Sequence, residues 1–470
     1  MKTRKADAGS QISNPKSQIP SFVPASPPAD RLIPVFSVCF GIFLGLSLLK
    51  FCNPPIFEKW VESPKDEAEF IFGYPWPISW AYLLLIPLSI FGMIVARWRK
   101  TSGRWLIWVL LAWWLWQVVS TTQSVDDNLS TATLKHFTAC VVCFGLGFFS
   151  LSRTRNLWLF WAGIFSGLLL VILAGWEQHF GGLKSSRDYF FTYIYPNLKE
   201  VPPEYLKKMS SERIFATFFY PNALAGGMLL LLPPTLALLW GTERFTKAAR
   251  WFLIGSIAIG SLACLFWSGS KGGWLLMLVL GVIALLRLPM PAKFRAAIIG
   301  LVMLVGIAGF TAKYLEFFRR GATSVSARFD YWEAAIKIAR NHATFGTGPG
   351  TFFIPYQKIK RPESEVARLA HNDYLQQASD SGFPGMICYC TFIVGALFIS
   401  SRRSDFRTGW ATFALWLGVL GWSLQSMVEF SLYIPSLAWP AFAFLGWLTS
   451  GVEPGSSNRR DRADGSAAPA

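Results

Sequence analysis

Four residues set far apart in the chain, Arg213, Lys271, Arg328 and His371, stand at the edges of apolar runs. Arginine grips phosphate oxygens as a planar fork, and lysine does so as a point charge. Histidine titrates near neutral pH and can take a proton from an attacking hydroxyl. Each signal is weak singly, since a lysine at a span end usually snorkels and a histidine at a helix start is usually a cap or solvated. The neighbours add weight. Glu212-Arg-Ile-Phe-Ala-Thr-Phe-Phe-Tyr-Pro-Asn puts Asn222 where it can cap the next helix, whose N-terminus attracts anions. Ser268-Gly-Ser-Lys-Gly-Gly offers flexible backbone amides beside Lys271, and Leu369-Ala-His-Asn-Asp-Tyr-Leu-Gln-Gln sets His371 and Asn372 just before an apolar helix.

The elements that must position these residues are membrane spans. The 470 residues are 53% hydrophobic and 16% aromatic, with 22 tryptophans, more than a soluble core needs. The apolar residues fall in uninterrupted runs that suit helices crossing a core of about 30 Å. Spans are expected near 33–50, 78–96, 105–120, 134–151, 157–176, 222–241, 251–268, 273–288, 296–312, 384–400, 410–427 and 436–450. The fold class is therefore all-α and polytopic, with about twelve transmembrane helices. The net charge of +17 sits mostly in short clusters between the runs, the positive-inside pattern, so nucleic acid is not the expected partner.

Those clusters are Arg97, Arg99, Lys100 and Arg104; Arg153 and Arg155; Arg244, Lys247 and Arg250; Arg287, Lys293 and Arg295; and Arg402, Arg403 and Arg407. With twelve spans they all share one side. Both termini are then cytoplasmic, and the polar stretches 1–31 and 451–470 are expected to be disordered tails flanking a membrane domain at 32–450. The outer face carries the longer loops, about 51–77, 177–221 and 313–383, where function usually gathers.

In the largest outer loop, Phe329, Trp332, Ile336 and Ala339 recur at helical spacing, which predicts an amphipathic helix lying on the membrane. Phe345-Gly-Thr-Gly-Pro-Gly-Thr-Phe is a tight turn with no strand before it, so nucleotide binding is rejected. Cys140 and Cys143 fall inside a span and read as buried small residues instead of a metal site.

These segments in this order resemble the O-antigen ligase and polymerase superfamily, through Arg213 to Ala225, Trp267 to Gly273, Ser326 to Gly350, and Ala370 to Gly385 with its Gly-Phe-Pro-Gly. The match covers roughly the second half of the chain. The resemblance implies a membrane-embedded glycosyltransferase of the C type, independent of metal and cofactor, in the inner membrane with its active site facing the periplasm. It implies a polyprenyl-pyrophosphate-linked glycan as donor. The acceptor is lipid A-core, a growing glycan or a protein. Arg213 and Arg328 then fall on the donor pyrophosphate and His371 near the acceptor hydroxyl, as catalytic residues, with Lys271, Asn222 and Asn372 binding substrate. Lys271 departs from the family, which commonly has arginine in that turn.

The expected mechanism is inverting: the cations hold the pyrophosphate while His371 accepts the acceptor's proton, oriented by Asn372 or Asp373. Two rivals stand beside it. One is a metal-dependent enzyme using Asp66, Glu67 and Glu69, which lie in a charged stretch with Lys59 and Lys65. The other is a carrier for bicarbonate or a lipid-linked sugar, disfavoured by span centres almost free of ionisable residues.

Overall fold

The computed structural model describes residues 28–451 apart from 74, 98–102, 155, 190, 193–194, 196–209, 320 and 322. The expected tails therefore lie largely outside the described residues, as do Arg99, Lys100 and Arg155. Every regular element among the described residues is helical.

In chain order the α-helices are α1 (Pro28–Lys50), α2 (Glu67–Phe72), α3 (Ile78–Val95), α4 (Trp105–Thr121), α5 (Asp127–Gly145), α6 (Trp158–Glu177), α7 (Leu183–Tyr189) and α8 (Pro221–Gly241). They continue as α9 (Lys247–Trp267), α10 (Lys271–Arg287), α11 (Ala292–Arg319), α12 (Thr323–Asn341), α13 (Phe353–Ile359), α14 (Asp373–Ser401), α15 (Ser404–Thr408), α16 (Trp410–Gln425) and α17 (Pro435–Thr449). Eight of them (α1, α3, α5, α6, α8, α9, α11 and α14) are long and apolar enough to cross a bilayer. The protein is thus a multi-pass membrane protein. The other four expected positions hold shorter helices, α4, α10, α16 and α17, of 17, 17, 16 and 15 residues.

Helix α17 is the axis of the bundle. All of its residues are buried, and α1, α5, α8, α14 and α16 pack around it. A helix apolar on every side satisfies its backbone internally and needs no polar face. Outside it, α1 and α6 cross with their backbones almost touching. A Cβ on Gly41 would sit 2.0 Å from the Phe160 carbonyl oxygen, and one on Gly45 would sit 2.1 Å from that of Gly163. Gly41-Ile-Phe-Leu-Gly45 meets Gly163-Ile-Phe-Ser-Gly167, a close contact that only small residues permit.

The helices on either side of the largest outer segment run further into it than expected: α11 reaches Arg319, and α14 already begins at Asp373. Helix α14 breaks at Ser381 and Gly382, where Gly-Phe-Pro-Gly stands. Between them α12 does form, but it turns a different face to the protein. Ala327, Tyr331, Ala334, Ala335 and Ile338 build a small core with Phe352, Tyr356, Ala367 and Ala370, whereas Phe329 is 61% exposed. The small residues win the inner face because they let α12 lie close on α14.

The glycine turn clamps this outer unit to the bundle. The Val125 amide donates to the Thr347 carbonyl at 2.9 Å, the Thr347 amide to Ser379 at 3.0 Å and the Gly348 amide to Asp380 at 2.8 Å. Asp380, fully buried, accepts from the Gly350 amide at 2.7 Å, the Gln376 amide nitrogen at 3.0 Å and the Tyr433 hydroxyl at 2.9 Å. The turn is a structural latch, which accounts for its glycines without a nucleotide.

Candidate active site

The segment before α8 brings Arg213 beside the N-terminal ends of α8 and α10. Its backbone is held by the Gln178 side chain, whose oxygen accepts from the Phe215 amide at 3.0 Å and the Ala216 amide at 2.7 Å. Thus anchored, the Arg213 Nε donates to the Ser268 carbonyl at 2.7 Å and an Nη to the Asn222 oxygen at 2.7 Å. Asn222 does not cap α8: Tyr220 occupies the N-cap position, with Pro221 following as the first helical residue. The asparagine instead turns inward and donates to the Glu429 Oε1 at 2.6 Å.

Lys271 is the first residue of α10, whose N-cap is Ser270. Its ammonium lies over the Phe317 ring of α11, 3.7 Å from the centroid, a cation–π contact that holds the charge without neutralising it. Arg328 projects from α12 and forms an ion pair with Glu429. The Arg328 Nε is buried and has no hydrogen-bond partner among the described residues.

His371 precedes α14 in a left-handed backbone conformation, φ 50°, a strain that non-glycine residues accept mainly where surroundings enforce it. Its ring is sandwiched, with Tyr331 stacked 5.8 Å away and Phe430 edge-on at 4.8 Å. The Nδ1 lies 3.1 Å from the Glu429 Oε2, and Nε2 makes no hydrogen bond within the described residues. The expected orienters are corrected here. The Asn372 oxygen caps α14 by accepting from the Tyr374 and Leu375 amides at 3.0 Å each. Asp373 accepts from the Leu432 amide at 2.8 Å. Neither has a hydrogen bond to His371.

Glu429 is the residue that sequence reasoning missed. It joins Arg328, Asn222 and His371, and takes a fourth bond from the Tyr220 hydroxyl at 2.7 Å. The signal was present, because Glu429 is the sole acidic or basic residue between Trp410 and Gly451, and an acid alone in an apolar stretch marks a functional site. Burial pushes its carboxyl up, but Arg328, then His371 and Tyr220, outweigh that and hold it at about 2. Burial pulls the Arg213 guanidinium down, a shift that Glu429 opposes. Burial and then the nearby Glu429 charge push the Tyr220 hydroxyl well above its usual range, so it donates and does not ionise.

Arg213, Lys271, Arg328, Asn222 and Glu429 line one cavity of about 250 Å³ at the N-terminal ends of α8 and α10, beneath α12. Phe310 and Phe318 close its apolar side. His371 does not line it but stands behind Glu429. Three cations around a partly apolar chamber suit a phosphate ester carrying a lipid tail, and an imidazole hydrogen-bonded to a carboxylate is the usual form of an oriented general base.

The carboxylates of the rival reading serve other ends. Asp66 caps α2 by accepting from the Glu69 amide at 2.7 Å, and Glu69 accepts from the Lys65 amide at 2.8 Å, both on the exposed surface.

No curated protein matches the chain. A family model does, that of the O-antigen ligase, over residues 256–390. The match runs from within α9 into α14, so it takes in Lys271, Arg328 and His371 and leaves Arg213, Asn222 and Glu429 outside. Residues 256–390 of this membrane chain are thus similar to the O-antigen ligase family.

Proposed function

We propose that the protein transfers a glycan from a polyprenyl pyrophosphate carrier to an acceptor hydroxyl on the periplasmic face of the inner membrane, without a metal ion. Family members are glycan-transferring enzymes acting on lipid-linked glycans. The observation that carries the reading is the cavity itself, where Arg213, Lys271 and Arg328 converge from three separate segments beside the His371–Glu429 pair. Twelve spans, with α4, α10, α16 and α17 crossing as short helices, put both termini in the cytoplasm and this cavity outside.

In the reaction the acceptor oxygen attacks the anomeric carbon from the face opposite the pyrophosphate, inverting it. The acceptor's proton passes to the His371 Nε2, and the bond to the phosphate oxygen breaks, leaving polyprenyl pyrophosphate. The arginines stabilise the charge that develops on that leaving group. His371 later returns its proton to water.

The test is transfer by the purified chain in lipid nanodiscs, supplied with polyprenyl-pyrophosphate-linked glycan and an acceptor. Release of polyprenyl pyrophosphate that persists under exhaustive chelation is expected. Movement of solute across vesicles with no release would make the protein a carrier, and loss restored by magnesium would return Asp66 and Glu67 to consideration. The acceptor class follows from a deletion strain: free polymer on its carrier marks a ligase, single repeat units a polymerase and unglycosylated protein a protein transferase.

A further inference from the structure

Glu429 divides its two oxygens between two tasks. Oε1 meets the donor-site groups, Arg328 and Asn222, while Oε2 meets His371 and Tyr220. Without a donor, the carboxylate's charge is largely spent on Arg328. A phosphate prefers to take an arginine by two parallel bonds along one edge. The buried Arg328 Nε, with no partner among the described residues, lies on the same edge as the Nη2 that Glu429 holds. A pyrophosphate entering the cavity gains that fork only by drawing the edge away from Glu429.

We infer that donor binding draws Arg328 off Glu429 and so turns the carboxylate's charge onto His371, making the histidine a competent base only once the donor site is filled. This rests on the donor-site reading given above. Glu429 lines the donor cavity, but its effect on the base runs through His371, as a positioning residue. The consequence is an ordered reaction: the acceptor hydroxyl is not deprotonated, and water is not activated, beside an empty donor site.

The other groups facing His371 do not supply this coupling. Tyr331, Phe430 and Trp332 around it carry no charge near neutral pH, Tyr220 is held protonated, and Asp373 beside it is committed to the Leu432 amide. Arg213 reaches it only through Asn222 and Glu429. The sign follows. A carboxylate relieved of its guanidinium favours imidazolium, so His371 holds its proton to a higher pH when donor is bound, which makes it the stronger base. The pyrophosphate's own charge acts in the same direction through space, and removing Glu429 separates the two.

The experiment follows the four histidines of the full chain in nanodiscs by NMR of ring-labelled protein, with His371 assigned by its loss in His371→Ala. The probe is polyprenyl pyrophosphate. In the wild type the His371 midpoint should rise by about one pH unit, a tenfold gain in proton affinity, and in Glu429→Gln most of that rise should vanish although the probe still binds. Kinetics give a second readout, because kcat/KM for the donor reports the free enzyme and kcat reports the donor complex. The acid limb of kcat should lie at higher pH than that of kcat/KM, and the two limbs should converge in Glu429→Gln.

Should Glu429→Gln fail to fold, Arg328→Gln supplies the converse: His371 should titrate high before any donor is added. Probe binding with an equal midpoint shift in wild type and Glu429→Gln, or a low midpoint in Arg328→Gln, overturns the exchange while leaving the donor site standing. Failure of the wild type to bind the probe overturns both.

Discussion

His371, Arg213 and Arg328 should fail in different ways when replaced, because the proposed mechanism gives one to the acceptor and two to the donor. His371→Ala should cut turnover by roughly 10²- to 10⁴-fold, the usual worth of a general base, with donor affinity nearly unchanged. Arg213→Ala should weaken donor binding as well, by about 1.5–3 kcal/mol for a lost charge-assisted contact, measured by titrating polyprenyl pyrophosphate. Lys271→Arg should keep full activity, since a guanidinium also stacks on the Phe317 ring beneath it. Of the four residues chosen by chemistry, Arg213, Lys271 and Arg328 share one cavity, and His371 stands behind Glu429. Asn222, expected both to cap the next helix and to bind substrate, lies in the cavity without capping, whereas Asn372, expected to bind substrate, is the cap of α14. Spacing from a helix start cannot tell an N-cap from a residue two places later, and Tyr220 followed by Pro221 settled which it was.

At the level of elements, the outer turn and the break in α14 depend on backbone that cannot accept a side chain. Gly382 has φ 71°, and a Cβ there would sit 2.1 Å from the Thr344 carbonyl oxygen. Gly382→Ala should therefore cost more than about 2 kcal/mol from strain alone, seen as a lower melting temperature and weaker expression, with transfer lost because α12 no longer holds Arg328 over the cavity. Gly300→Ala is the control. That glycine lies within α11 with nothing within 4 Å of an added Cβ, so alanine should stabilise by up to about 1 kcal/mol. Helices were readable from apolar run length, which is why all twelve expected positions hold one. The buried face of α12 was not. Phe329, Trp332, Ile336 and Ala339 were read as the face lying on the membrane; Phe329 and Ile336 are exposed, Ala339 is buried, and alanines form most of the contact with the protein, since hydrophobicity alone does not register closeness of approach.

For the whole molecule, the basic clusters set an orientation that a single label can test. A cysteine at Glu363, in an otherwise cysteine-free chain, should react with an impermeant thiol reagent in intact cells whose outer membrane has been permeabilised. Reaction only after lysis would mean an odd change in the number of crossings before Glu363, with the short helices α4 and α10 the first to re-examine. Composition made the membrane plain, but the packing order within it was closed to sequence. Nothing in the sequence of α17 distinguishes a central helix from a lipid-facing one, because both are apolar on every side.

Helix α11 is the opposite of α17. Only 6% of its most apolar stretch is buried, and its main neighbour is α10. Its 28 residues extend about 42 Å at 1.5 Å each, well beyond a hydrocarbon core of about 30 Å. With so little protein against it, its lean is expected to respond to bilayer thickness, and its C-terminal end carries the Phe317 ring under Lys271 and the Phe310 and Phe318 walls of the cavity. A change in acyl-chain length is then expected to move one wall of the site. Donor KM should drift as nanodisc lipids are lengthened or shortened, while the melting temperature set by the core around α17 stays nearly level, so that the thickness of the surrounding bilayer becomes a coordinate of the chemistry.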